Sequence, residues 1–281
     1  MVSPAAAGAS QSERLGALAV LALAVGSGLI AFSLGQAPAS YAPVNAGALM
    51  LTALVLLIPG ERGSEILGNL VLLAAPISIA ASLLIGPAML GVQRWIELGG
   101  LSLHPGMLLV PALITVLAHR RDLPSLAATG LCSVLAWLQP DFATTMAVAC
   151  GVLFATTGRV LAPIEHAARL ITMTAMVLTA FKPDPLGPVA FVETALSDGF
   201  TIHPVLGLVM ALALVLALVL PPWLLTRASA ERHLAARGLT GAMIGFTLPS
   251  LLAAYPQPLV GYGASAILGY GLALAVLRFS R

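Results

Sequence analysis

The chain has 281 residues, of which 59% are hydrophobic and 9% are charged. A soluble domain carries about 25% charged residues, so this composition predicts an integral membrane protein. The net charge is +2 and Lys182 is the only lysine, which leaves too few cations for a nucleic-acid-binding face. The two cysteines, Cys132 and Cys150, lie in apolar runs without the paired spacing of a metal site, so no metal centre is expected.

Ten apolar runs predict membrane-spanning helices, although several are shorter than the 20 or so residues that a span usually needs. In chain order they are Leu15–Leu34, Val44–Pro59, Ile66–Leu90, Pro105–Leu117, Leu126–Leu138, Phe142–Thr157, Val160–Phe181, Pro204–Leu225, Leu239–Tyr255 and Leu259–Leu277. The expected fold class is an all-α polytopic transmembrane bundle of about ten helices. Residues 1–12 predict a disordered tail, and residues 13–281 a single transmembrane domain, because no loop is long enough for a soluble one.

The basic residues indicate how the helices are oriented, because lysine and arginine concentrate in cytoplasmic segments. Ten spans with both termini in the cytoplasm leave only Arg94 and Lys182 on the outer side. The inner side then holds Arg14, Arg62, Arg120, Arg121, Arg159, Arg169, Arg227, Arg232, Arg237, Arg278 and Arg281. The outer side instead collects acids, namely Glu97, Asp141, Asp184, Glu193 and Asp198.

The first polar outer segment contains Gln93-Arg94-Trp95, and Glu97 follows it. Arg94 and Glu97 are three residues apart, so on a helical turn they would share a face and pair, which predicts a re-entrant loop at the membrane interface. The alternative is that Arg94 binds an anionic lipid head group, because a guanidinium matches a phosphate in a bidentate way. Trp95 suits the interfacial aromatic belt.

Two further outer segments carry carboxylates. Asp141 follows the helix-breaking Pro140, where it is expected to cap the next span; alternatively, it pairs with Arg94 across an outer vestibule. In the next outer loop, Asp198 lies in Ser197-Asp198-Gly199, a sequence typical of a turn.

The last polar segment lies at the start of the tenth predicted span. Its small residues Gly261, Gly263 and Ser265, together with Tyr262, predict a helix-packing motif, because small side chains let helices approach closely.

Four of these segments, in this order, resemble conserved motifs of the SEDS family (shape, elongation, division and sporulation), whose polytopic members polymerise lipid-linked peptidoglycan precursor. They are Gln93-Arg94-Trp95, Gln139-Pro140-Asp141-Phe142-Ala143-Thr144, Asp184-Pro185-Leu186-Gly187 and Pro258-Leu259-Val260-Gly261-Tyr262-Gly263-Ala264-Ser265-Ala266. Two features depart from the family pattern. Pro105-Gly106-Met107 stands where the family has P-S-E. The large outer loop of the family is shortened here to about twenty residues between the predicted spans.

The resemblance implies a membrane protein of cell-envelope and peptidoglycan biogenesis, in cell shape or division, located in the bacterial inner membrane. It implies that Asp198 is the catalytic residue of a glycosyltransferase-like enzyme, if the protein is active. The implied substrate-binding residues are Arg94, Trp95, Asp141, Lys182 and Asp184. No cofactor is implied, although an active enzyme could use a divalent cation to neutralise a leaving diphosphate.

The implied partners are membrane lipid, the lipid-linked precursor and a single-pass transpeptidase. Two other functions fit the same fold, because fold resemblance alone does not settle function. One is a lipid or small-solute transporter with a vestibule lined by Arg94, Asp141 and Asp184. The other is a non-catalytic scaffold for the transpeptidase.

Overall fold

The computed structural model describes residues 9–58, 64–227 and 232–279. Within these ranges the chain forms eleven α-helices and one two-stranded hairpin. In chain order they are α1 Gln11–Leu34, α2 Tyr41–Leu57, α3 Ser64–Ile85, β1 Ile96–Leu98, β2 Leu101–Leu103, α4 Pro105–Arg120, α5 Leu123–Leu138, α6 Phe142–Thr156, α7 Pro163–Ala180, α8 Ala195–Ile202, α9 Pro204–Thr226, α10 His233–Leu252 and α11 Ala264–Phe279. Each of the ten predicted spans corresponds to one helix, and α8 is additional.

The helices have the apolar character of a membrane bundle. Helices α1, α3 and α9 are long and apolar enough to cross a bilayer, and α2, α4, α5, α6 and α11 are shorter apolar helices. The predicted polytopic helical fold is confirmed. Together with the composition, these helices make the chain a multi-pass membrane protein.

Polar caps fix where several helices begin. The Ser10 side chain accepts a hydrogen bond from the Glu13 amide, and the Glu13 carboxylate accepts one from the Ser10 amide, forming a capping box for α1. Helix α1 therefore already includes residues 11 and 12, which the sequence assigned to the tail, and residues 1–8 lie outside the described ranges. Asp122 caps α5 by accepting from the Ser125 amide.

Arginines gather at one end of the bundle, here called the basic end. Arg14 at the start of α1 and Arg278 at the end of α11 both donate to carbonyl oxygens at the end of α2. Arg120 donates to Asn69 near the start of α3, and Arg237 donates to the carbonyl of Thr157 after α6. The predicted grouping of these arginines is therefore present, while Arg62 and Arg281 lie outside the described residues. Which side of a membrane this end faces stays a prediction.

The opposite end is called the acidic end, because Asp141, Asp184, Glu193 and Asp198 lie in its loops and helix termini. The β1–β2 hairpin lies here with Ile96 opposite Leu103, Glu97 opposite Ser102 and Leu98 opposite Leu101. Short helix α8 and the irregular segment 253–263 complete this end.

Small residues let the central helices pack closely, as expected in lipid. A Cβ on Gly269 of α11 would lie 2.1 Å from the carbonyl oxygen of Met107 in α4, and one on Gly245 of α10 would lie 2.5 Å from the Cα of Ala147 in α6. A larger side chain at either position would force the facing backbone to shift, so these glycines set the distance between the helices.

Candidate functional site

Arg94 is buried at the acidic end, with only 2% of its side chain exposed. Its Nη2 atom lies 2.8 Å from Oδ2 of Asp184 and also donates to the carbonyl of Pro140. The guanidinium lies over the ring of Tyr255, 5.1 Å from the ring centroid. The cation is therefore already paired within the protein, while its buried Nε atom has no hydrogen-bond partner among the described residues.

The predicted pairing of Arg94 with Glu97 is wrong. Glu97 lies in β1 and its carboxylate accepts a hydrogen bond from Ser102 on the facing strand. The prediction required a helical turn, because residues three apart share a face only on a helix. The chain instead forms a hairpin here, so Arg94 and Glu97 point to different partners.

Asp141 caps α6, as the sequence predicted. It is 1% exposed, and its Oδ1 atom accepts from the Thr144 amide at 3.0 Å. Its other oxygen, Oδ2, lies 3.3 Å from Nε2 of His104. Since Nδ1 of His104 accepts from the Met107 amide at 3.2 Å, the hydrogen-bond pattern assigns the imidazole proton to Nε2, facing Asp141.

Arg94, His104, Asp141, Asp184 and Tyr255 form what is called here the Arg94 cluster. Burial lowers the pKa of Arg94, but the negative charge of Asp141 and contributions from Tyr255 and Asp184 outweigh burial, so this pKa is raised. Burial is also the main reason that the pKa of the Tyr255 hydroxyl is raised. The guanidinium and the phenol therefore keep their protons, and the cluster holds one cation between two carboxyl groups.

Arg94 and Asp141 thus lie at one site, although the direct ion-pair partner of Arg94 is Asp184. Sequence reasoning missed His104 and Tyr255. A signal existed for His104, which directly precedes Pro105 at the start of α4, where a side-chain acceptor is expected. Tyr255 had no such local signal.

Trp95 borders the Arg94 cluster, whereas Lys182 does not join it. The Trp95 ring meets the His104 ring edge-on, with 6.0 Å between centroids. Nζ of Lys182 donates to the carbonyl of Trp137 at 2.6 Å and lies 4.4 Å from the centroid of the Trp137 indole. Both outer cations of the sequence analysis are therefore engaged by the protein itself.

Asp198 lies apart from the Arg94 cluster, in the first turn of α8. Its Oδ2 atom accepts from the Phe191 amide and from the Thr194 hydroxyl, both at 2.7 Å. The predicted turn at residues 197–199 is wrong, because the Asp198 amide donates to the Thr194 carbonyl in a helix. The side chain is half-buried, and in the ranges that the structure describes no hydrogen bond or ion pair joins it to Arg94, Asp141 or Asp184.

The predicted helix-packing motif is a loop. Helix α11 begins at Ala264, and Gly263 has a φ of 152°, which lies outside any helix. The carbonyl of Gly261 accepts from Nδ2 of Asn45 at 2.9 Å, and the Gly263 amide donates to Oδ1 of Asn45 at 3.0 Å. The Tyr262 ring stacks on Tyr41, with 3.7 Å between centroids.

Close helix packing does occur in α11, but at Gly269 and Gly271 rather than at Gly261 and Gly263. The fourth member of the predicted motif, Ser265, lies in the first turn of α11 and its Oγ atom accepts from the His104 amide at 2.8 Å. In the described residues, no group of three or more His, Cys, Asp or Glu side chains is placed to hold a metal ion.

Comparison with solved structures identifies the architecture. The rod shape determining protein RodA of Thermus thermophilus superposes with a TM-score of 0.66 and 22% identity, covering 94% of this chain and 96% of RodA. An aspartate-to-alanine mutant of that RodA matches equally well, over 97% of its chain. The chain has a SEDS-type fold.

A third structure gives the same result. It is described as a peptidoglycan synthase complex that coordinates polymerization and crosslinking, and its matching chain gives a TM-score of 0.65 at 22% identity, covering 95% of this chain and 98% of its own. No protein-family model and no curated protein match the sequence. At this identity the likeness concerns the fold, so the roles of the site residues and the shortening of the outer loop stay predictions.

Proposed function

We propose that this chain is a SEDS-type protein of bacterial cell-wall synthesis that acts on or beside lipid-linked peptidoglycan precursors, together with a single-pass transpeptidase. In this proposal it is located in the inner membrane with both termini in the cytoplasm. The basic end then faces the cytoplasm, in agreement with the positive-inside rule. The acidic end faces outward, where lipid-linked precursors are polymerised.

The observation that carries the proposal is the meeting of the four motif segments at the acidic end. Arg94 of the first segment contacts the carbonyl of Pro140 in the second and the carboxylate of Asp184 in the third. The fourth segment joins them because Ser265 accepts from the amide of His104, whose imidazole faces Asp141. Contacts between residues as far as 161 positions apart in sequence therefore join the four motif segments at one end of the bundle.

In this proposal, the carboxylate of Asp198 deprotonates the hydroxyl of the acceptor sugar. A general base must lie within about 3 Å of the hydroxyl that it deprotonates. Asp198 is half-buried rather than sealed, and its two hydrogen bonds both reach Oδ2. This arrangement fixes the carboxylate on α8 while Oδ1 can face a substrate. The Arg94 cluster, in contrast, is closed and serves to hold the surrounding segments in place.

The test is polymerisation of a labelled lipid-linked disaccharide precursor by the purified protein, with and without a single-pass transpeptidase. Polymer is expected, and Asp198→Asn should lower its rate by about a hundredfold or more, the contribution of a positioned base. Asp122→Asn is the matched control, because Asp122 caps a helix at the basic end and should keep the wild-type rate. Equal rates for the wild type and Asp198→Asn would exclude Asp198 as the base.

A second candidate function is a non-catalytic scaffold for the transpeptidase. The observation that favours it is that Arg94 and Lys182 are both engaged internally, which leaves no outer cation free for a diphosphate in the described residues. A scaffold predicts no polymer under any condition, together with stable co-purification of the transpeptidase. The transport alternative receives less support, because transporter sites lie near the bilayer midplane and these charges lie at one end of the bundle.

A further inference from the structure

A cavity of about 450 Å³ opens at the basic end, between α6, α9 and α10. This volume is within the range of sites that bind small molecules. Its lining comprises Phe154, Val219, Trp223, Thr226, His233, Ala236, Arg237 and Thr240. The cavity is far from the Arg94 cluster, which lies at the opposite end, and the function proposed above does not use it.

The walls of this cavity divide by chemistry along the bundle. Val219 and Phe154 provide an apolar part, and Val219 is 46% exposed on the outside of the bundle. Towards the end of the bundle the lining changes to His233 and Arg237, both of which are exposed. A ligand that fills the cavity must therefore have an apolar part towards the membrane interior and an anionic part at its edge.

Trp223 marks the boundary between these two parts. It is 49% exposed, and the guanidinium of Arg227, one helical turn later, lies 4.9 Å from the centroid of its ring. Tryptophan concentrates at the level of lipid head groups. The cations of Arg227 and Arg237 thus lie at the depth where the phosphate of a membrane lipid is found.

The basic side chains keep free capacity to bind an anion. Arg237 uses one donor on the carbonyl of Thr157, at 3.2 Å, which anchors the guanidinium and leaves further donors for a phosphate. The first backbone amides of α10, from His233 onward, point to the same end and add partial positive charge. Among the described side chains that line the cavity there is no acid.

We propose that this cavity binds an anionic phospholipid, with an acyl chain along Val219 and Phe154 and the phosphate held by Arg227 and Arg237. A free phosphate ion would match the arginines but leave the apolar walls uncovered. A zwitterionic lipid would cover the walls but would bring a second cation to the arginines. Each arginine near an anionic lipid is worth about fivefold in binding, so the two together give about a twenty-five-fold preference.

The test uses quenching of tryptophan fluorescence in phosphatidylcholine vesicles. The chain has three tryptophans, and the other two, Trp95 and Trp137, lie at the acidic end, so the difference from a Trp223→Phe variant isolates the signal of Trp223. Brominated phosphatidylglycerol should quench Trp223 at about one twenty-fifth of the mole fraction that brominated phosphatidylcholine requires. The double variant Arg227→Gln, Arg237→Gln should lose this preference.

Arg169→Gln is the control, because Arg169 lies in α7, which contributes no residue to the cavity lining, whereas Arg227 lies one turn from the lining residue Trp223; Arg169→Gln should keep the preference. Equal quenching by the two brominated lipids would overturn the proposal and indicate a crevice that any acyl chain or a partner's helix fills. Relief of quenching by millimolar inorganic phosphate would also overturn it, in favour of a free-anion site. If Arg169→Gln lost the preference for the anionic lipid as fully as the double variant, the preference would come from general surface charge and the proposal would be overturned.

Discussion

Asn45 is expected to stabilise the loop at residues 261–263 through two side-chain hydrogen bonds. Its side chain is fully buried in α2, and it donates to Gly261 and accepts from Gly263, at 2.9 and 3.0 Å. No local backbone partner replaces these contacts, because residues 261–263 precede α11 and are not helical. Asn45→Ala therefore removes the partner of the buried Gly261 carbonyl and of the half-buried Gly263 amide.

The cost follows from those two groups. The buried Gly261 carbonyl left unpaired costs about 1–3 kcal/mol, and the half-buried Gly263 amide can bond water instead, so Asn45→Ala should lower the free energy of unfolding by about 1–3 kcal/mol. Asn69→Ala is a close control, since Asn69 is the only other asparagine and makes an exposed hydrogen bond with Arg120. Its cost should stay below about 1 kcal/mol.

The assay is thermal unfolding of both variants in detergent, followed by the loss of the monodisperse peak on size exclusion. Asn45→Ala should unfold at a clearly lower temperature than wild type and Asn69→Ala close to it. If the two variants unfold at the same temperature, Asn45 does not hold the segment and the explanation given for the conformation of residues 261–263 is wrong.

Two other changes test the packing and the acidic end. Gly269→Ala should destabilise the bundle by about 1–3 kcal/mol, because the new Cβ would meet the Met107 carbonyl. Gly47→Ala is the control and should be neutral or slightly stabilising, because nothing lies within 4 Å of its Cβ. Equal melting temperatures for the two variants would contradict this packing. Burial and then the negative charge of Asp184 raise the pKa of Glu193, so the ionised form is disfavoured in the folded state. Glu193→Gln should therefore melt at a higher temperature than the wild type at neutral pH. The difference should vanish as the pH falls below the ordinary carboxyl pKa, where Glu193 is protonated in both the folded and the unfolded state. A difference that does not depend on pH would exclude the ionisation of Glu193 as its cause.

The bundle could be predicted from the sequence because spanning a membrane requires long apolar runs, and a run is a local property. The start of α11 could not be. Residues 259–263 are as apolar as the helix that follows, so hydropathy predicts one continuous span from Leu259. The loop there depends on Asn45, more than 200 positions earlier in the chain, and on hydrogen bonds from Gln257 and Tyr262 to the backbone of residues 191 and 192.

The partner of Arg94 shows the same limit at the site. Two acids were reasonable partners for Arg94: Glu97 because it lies three residues later in sequence, and Asp141 because it lies at a helix end on the same side. The ion pair forms instead with Asp184, which lies 90 residues further along the chain. The packing of the helices determines which charged side chains come within reach of each other. The sequence could therefore place Arg94 at the correct end of the bundle without identifying its partner.

The closed Arg94 cluster constrains how a substrate could act at the acidic end. A lipid diphosphate that bound Arg94 would have to displace Asp184 from a side chain that is 2% exposed. Breaking a fully buried ion pair costs about 3–5 kcal/mol. Asp184 is 20% exposed, so this pair costs less than that to break, and the phosphate would have to recover the cost. A substrate that approaches Asp198 meets no such barrier, because this carboxylate is half-buried and makes no ion pair in the described residues. The exposure of the two sites therefore favours α8 for the proposed chemistry, while Arg94 joins the motif segments through Pro140 and Asp184.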